Sequence, residues 1–159
     1  MKIRCIYSQG PTLKNIFSPS KLSNNILPSN HGHFKCKGTR CKLCSIAIVT
    51  DNILFENGKI YYINNYFDCN SKFSIYVLKC FKCSKLYIGE TSDVRARMAL
   101  HKSNTNLEQN RHLYVNKHFH SCSNGKFYFC VMYQSDDNVL KRKTIEDHFI
   151  NKFEPSLNK

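Results

Sequence analysis

The chain has 159 residues, 42% of them hydrophobic, and a formal net charge of +13. That length and apolar content allow one packed domain with a small appendage. No apolar run approaches the roughly 20 residues that cross a bilayer, and the N-terminal MKIRCIYSQG lacks the hydrophobic region of an export signal.

The charge is uneven. The first 50 residues hold eight of the 24 basic side chains and none of the 11 acidic ones. A polyanionic partner follows, nucleic acid ahead of membrane. The nine cysteines are an odd number. In a chain read as intracellular or nuclear and not secreted, they are expected as reduced thiols, either metal ligands or buried apolar groups.

Residues 1–30 read as a connector, broken by Pro11, Pro19 and Pro28. Residues 31–72 form a Cys-rich basic extension. In it, 60–67 reads as one strand or a pair of short strands, with Asn57-Gly58 as a hairpin turn. Residues 73–159 carry the clearest pattern. Strands are predicted at 75–79 and 85–88, and Thr91 or Ser92 caps a helix running to about Ser103. A polar loop covers 104–110, and 112–120 makes a second helix. Alternation of Phe127, Phe129 and Val131 predicts a third strand over 126–133. Asp136 to Asn138 turn the chain into a helix, Val139–Phe153, stopped by Pro155. The order is β-β-α-α-β-α, an α+β fold.

Within this frame, Tyr76 ends one strand segment and Tyr87-Ile88-Gly89 sits in the next. Arg97 and His101 are four residues apart, so they share one face of the following helix. A guanidinium there can grip a phosphodiester and offset charge in its transition state. Glu146 can hold a hard divalent cation such as Mg²⁺, and Tyr76 or His101 can orient or deprotonate a water. Gly89 permits either a close approach or a positive φ.

These residues, in this order, resemble the GIY-YIG nucleases. Tyr76 matches the end of the first motif, which here begins with Ser74 in place of Gly. Tyr87-Ile88-Gly89 matches the second. Val94-x-x-Arg97 and His101 match the first-helix pattern, Glu146 the late-helix acid and Asn158 the closing Asn. The resemblance implies a small three-stranded antiparallel sheet flanked by helices. It also implies catalytic roles for Tyr76, Tyr87, Arg97, His101, Glu146 and Asn158, with Tyr76 as general base and Mg (or Mn) near Glu146.

The cysteine spacing adds a second layer. Cys80-x2-Cys83 is a zinc half-site. His118 and Cys122, at helical spacing, complete it, with His120 as alternate. Cys36, Cys41 and Cys44 need a fourth ligand, for which Cys69 is the choice and His31 or His33 the fallback. Four protein ligands leave no open position, so either zinc would be structural. Cys5 and Cys130 are left over, and Cys130 reads as buried in a strand.

A Cys-x2-Cys between the two tyrosine motifs resembles the endonuclease domain of Penelope-like retroelements. So do Phe67-Asp-Cys69-Asn-Ser71 and, in the connector, Gly10 to Phe17 and Ser20-Lys-Leu22. That resemblance implies a reverse transcriptase on the same parent polypeptide and a chain that is a fragment, a decayed copy or a stand-alone nuclease. The expectation is a DNA endonuclease that nicks to prime retroelement integration. The alternative is a catalytically inactive, zinc-stabilised nucleic-acid-binding module. A RING-type interaction domain fits the ligand spacing poorly.

Overall fold

The computed structural model describes residues 31–106 and 114–158. The connector expected over 1–30, Cys5 and the predicted helix start at His112 lie outside those residues. At the centre is a three-stranded antiparallel sheet in the order β6-β5-β7. Its strands are β5 (Lys72–Cys80), β6 (Leu86–Asp93) and β7 (Phe127–Gln134). β5 is central because Ile75, Tyr76, Val77 and Leu78 are all buried, an unbroken run that needs cover on both faces. Tyr76 lies opposite Gly89 on β6 and Val131 on β7. The β7 register slips between Ile75 and Tyr76, a bulge that re-aims a side chain beside the site.

Helix α1 (Val94–Asn106) follows β6 directly. Its cap is neither Thr91 nor Ser92. β6 runs on through both, and Asp93 accepts the Ala96 amide at 3.1 Å while pairing with Lys72. Strand pairing to Lys72 and Ser74 outcompeted the capping tendency of Thr91. The helix also continues into the predicted loop as far as Asn106. Helix α2 is Tyr114–Ser123, and α3 is Val139–Phe153, capped by the Asn138 side chain on the Lys141 amide. A left-handed Glu154 (φ 49°) ends α3 before Pro155.

The extension contributes short pieces. They are β1 (Gly32–His33), a 3-10 turn (Lys42–Ser45), β2 (Asn52–Leu54), β3 (Ile60–Tyr62) and β4 (Tyr66–Phe67). β2 and β3 form a hairpin around Asn57-Gly58, where Gly58 has φ 80°. The 60–67 stretch is thus two strands, and they pair with different partners, β3 with β2 and β4 with β1. The hairpin packs on α3, with Phe55 stacked on Phe153 at 4.2 Å and Tyr61 edge-on to Phe149 at 5.5 Å.

Both outer edges of the central sheet are closed. On β7, Phe129 exchanges backbone hydrogen bonds with Ile46 and Ile48 at 2.9 Å each. On β6, Leu86 donates to the Glu56 carboxylate at 2.7 Å and accepts from the Leu157 amide at 3.1 Å. Two residues on, the Asn158 side chain accepts from Ile88 N and donates to Ile88 O, each at 2.7 Å. Among the described residues, no helix is long and apolar enough to cross a membrane.

Removing the Asn158 amide leaves both Ile88 backbone groups without their partner. Asn158→Ala is expected to cost about 1–3 kcal/mol. A denaturant titration checks this by a lower midpoint at unchanged slope.

Candidate active site and cysteine clusters

Tyr76 is fully buried, and its hydroxyl is the hub of the site. Arg97 Nε donates to it at 2.9 Å, and His101 Nε2 lies 2.7 Å from it. An arginine can only donate, so the phenol oxygen accepts from Arg97 and its own proton is free to go to His101 Nε2. That arrangement pairs it with a neutral imidazole protonated at Nδ1. The geometry exists because Gly89 faces the ring. A Cβ there would stand 2.5 Å from the Tyr76 hydroxyl and 2.8 Å from Tyr87 Cε1. Of the two roles open to Gly89, close approach is the one realised.

Tyr87 flanks the pair, its ring 5.9 Å from His101 and 6.4 Å from Tyr76. The Arg97 guanidinium, bonded to Tyr76, also favours the ionised form of Tyr87, against the larger effect of burial and of Glu146. Burial, then Tyr87, hold the Tyr76 hydroxyl above its ordinary value, with Arg97 opposing. Burial and then Arg97 push the His101 imidazole down to about 3, with the Asn116 side chain working the other way. Ser74, at the position of the family's glycine, is buried, and its hydroxyl donates to Lys72 O at 2.7 Å.

Glu146 is half-buried on α3, close enough to Tyr76 and Tyr87 to influence both. Burial, then the carboxylates of Glu90 and Asp147, push it up to about 7, against a hydrogen bond from the Glu90 amide and the Arg97 charge. Glu90 itself is paired with buried Arg142 at 2.6 Å. A carboxylate crowded by two others is relieved by a cation, so the site fits a hard divalent ion held by Glu146. Sequence reasoning missed the Glu90–Arg142 pair. Its one visible signal was the position of Glu90 directly after Gly89. Asn158, expected in the catalytic set, has both amide atoms engaged on the Ile88 backbone, so it acts on the strand that bears Tyr87 and Gly89.

Two further groups assemble as the spacing predicted. Cys36, Cys41, Cys44 and Cys69 bring their sulfurs within 4.8 Å of one another, as do the ligand atoms of Cys80, Cys83, His118 and Cys122. The 3.5 Å Cys36–Cys44 and 3.7 Å Cys44–Cys69 sulfur separations are close to the edge of about 3.8 Å that a tetrahedron with 2.3 Å Zn–S bonds requires. Cys83 Sγ lies 3.2 Å from His118 Nε2. The fallbacks are engaged elsewhere: His33 Nδ1 donates to Ile48 O and His120 Nδ1 to Thr105 O. His31 is exposed and belongs to neither group, and Cys130 is buried as expected. Arg95, on the first turn of α1, donates to the sulfurs of Cys36 and Cys41 at 3.5 Å and to Asn70. That link between the first cluster and the helix bearing Arg97 and His101 had no signal in the sequence.

A family model for the GIY-YIG catalytic domain matches residues 72–159, more than half of the chain. No curated protein and no solved structure matches it.

An unfolded histidine takes up a proton below about pH 6.5, whereas folded His101 stays neutral down to about 3. Its contribution to stability is therefore complete above pH 6.5 and is lost as pH falls from there toward 3. The slope is at most about 1.4 kcal/mol per pH unit. His101→Gln is expected to flatten the acid limb of stability, read from urea midpoints between pH 7 and pH 4.

Proposed function

The chain belongs to the GIY-YIG family, whose members are nucleases, and on that premise we propose that it is a divalent-metal-dependent endonuclease that nicks one strand of DNA. The observation that carries this is the Tyr76 hydroxyl held between Arg97 and His101, with Glu146 beside it. The Tyr76 oxygen already accepts from Arg97 and gives its proton toward His101. Its remaining lone pair can take a proton from a water while its own moves to His101 Nε2. The general base is then the Tyr76–His101 pair: Tyr76 ends neutral and the proton ends on His101 as an imidazolium. That charge is opposed by burial and Arg97, and the negative charge gathering on the phosphate must offset it. Arg97 lies where the scissile phosphate gains negative charge in the transition state. When bound at Glu146, a Mg²⁺ or Mn²⁺ ion would stabilise the leaving oxygen.

The two cysteine groups are structural zinc sites in this reading, their donor sets being those of closed tetrahedral centres. The nick primes retroelement integration, in the manner of a Penelope-like endonuclease, with a reverse transcriptase on the same parent polypeptide and DNA reached inside the cell nucleus. What supports that finer assignment is the Cys80-x2-Cys83 turn between the tyrosine strands, together with the cysteine-rich extension packed on the nuclease core.

Purified protein with Mg²⁺ is expected to convert supercoiled plasmid to open circle. Glu146→Ala should fall to background while still binding DNA, and Arg97→Ala should lose about 10²–10³-fold in rate. Wild-type protein that binds plasmid but never nicks it, across metals and salt, would leave only the inactive binding module.

Elemental analysis should return close to two zinc per chain, and Cys44→Ser close to one. A chelator strong enough to strip both ions should unfold the protein, seen as loss of the cooperative thermal transition.

A further inference from the structure

A cavity of about 620 Å³ lies away from the Tyr76 site, between the 3-10 turn of the first cysteine cluster and the outer side of α1. Its walls include Phe81 and Tyr128, and Lys42, Lys102 and Lys126 stand around it. A second cavity of about 440 Å³ shares Phe81 and Tyr128 and adds Lys79. Among the described residues, no acidic side chain lines either one.

Phe81 is the unusual member. It occupies the turn between Cys80 and Cys83 and is 54% exposed. The Tyr128 ring lies 5.5 Å away, tilted by 41°, and the Lys126 ammonium sits 5.8 Å from the Phe81 centroid. An exposed aromatic on a short turn, beside a second ring and ringed by cations, matches how single strands are held. Bases stack on the rings and the backbone runs along the lysines. A duplex hides its base faces and cannot use such a platform. With lysines around it and no acidic side chain among its described lining residues, the cavity suits an anionic backbone.

We propose that this cavity binds single-stranded DNA, with Phe81 and Tyr128 stacking on nucleobases and Lys42, Lys79, Lys102 and Lys126 on the phosphates. The choice of DNA rests on the nuclease reading above. Helix α1 separates the two places: Arg97 and His101 face Tyr76, while Met98 and Lys102 border the cavity. Phe127 bridges them, lining the cavity with its ring 6.1 Å from His101. A strand freed at the nick therefore has a basic, aromatic landing place bordered by the same helix.

The chain contains no tryptophan, so Phe81→Trp introduces a single reporter. In the zinc-loaded full chain carrying Glu146→Ala, which removes cleavage from the measurement, titration with a dT12 strand is expected to quench that indole. Phe81→Ala should weaken dT12 binding about tenfold, in the range of one lost base stack, and change blunt-duplex binding less than about twofold. Lys126→Ala, read by anisotropy without the indole, should lower the salt slope for dT12 by about 0.7. Saturating dT12 binding with unchanged emission, or equal losses for strand and duplex, overturns the proposal. Quenching by the Glu146→Ala chain, with no plasmid nicking by the chain that keeps Glu146, sinks the nuclease reading alone; nicking by the latter with no quenching in the former sinks only the strand site.

Discussion

The central constraint is that a three-stranded sheet has two raw edges, and both must be satisfied for the site to hold still. β6 is the critical edge because it carries Tyr87 and Gly89. Its outward amides and carbonyls are taken in sequence by Glu56, the Leu157 backbone, Asn158 and Glu146. These partners come from the extension, the last helix and the C-terminal segment. The far edge, on β7, is closed by Ile46 and Ile48 of the extension. The catalytic strands are thus held from outside by pieces far away in sequence.

Glu146 shows the consequence. Its charge is made costly by burial and by the neighbouring carboxylates of Glu90 and Asp147, with the Glu90 backbone working the other way. The cost is kept from growing because Arg142, buried and itself paired, neutralises Glu90. One acid of the pair is neutralised by a protein cation, and the other has none within salt-bridge distance among the described residues. Tyr76 is arranged on the same logic. Burial disfavours its ionisation, while Arg97 and His101 fix the direction of its proton. The geometry is specified before any substrate arrives, which is what electrostatic preorganisation requires.

What the sequence disclosed follows from range. The order β-β-α-α-β-α, the Val139–Phe153 helix and both cysteine groups depend on local periodicity or on short ligand spacing, and these were legible. The cap at Asp93 was not, because Thr91 is the better local capper and lost to strand pairing with Ser74, a long-range term. Glu56 gave no sign at all: an exposed-looking acid in a hairpin turn has its meaning only through Leu86 and Ser156. Asn158 was legible as a site residue but not in its manner of acting, since a side chain that mimics a strand looks like any other polar end residue. Gly89 was the reverse case. Its need for space was readable, and the atom needing that space, the Tyr76 hydroxyl, was visible only in three dimensions.

The extension is therefore poorly described as an appendage that merely adds charge. Phe55 stacks on Phe153 beneath the helix bearing Glu146, and Glu56 holds β6. Arg95 ties the first turn of the catalytic helix to the Cys36 and Cys41 sulfurs, two residues before Arg97. If the cysteine group opened, the guanidinium would keep Asn70 and lose its two sulfur acceptors, and the helix that carries Arg97 and His101 would lose that link to the extension. Arg95 thus joins the first cysteine group to the helix that carries Arg97 and His101, a contact between residues more than fifty positions apart in the chain.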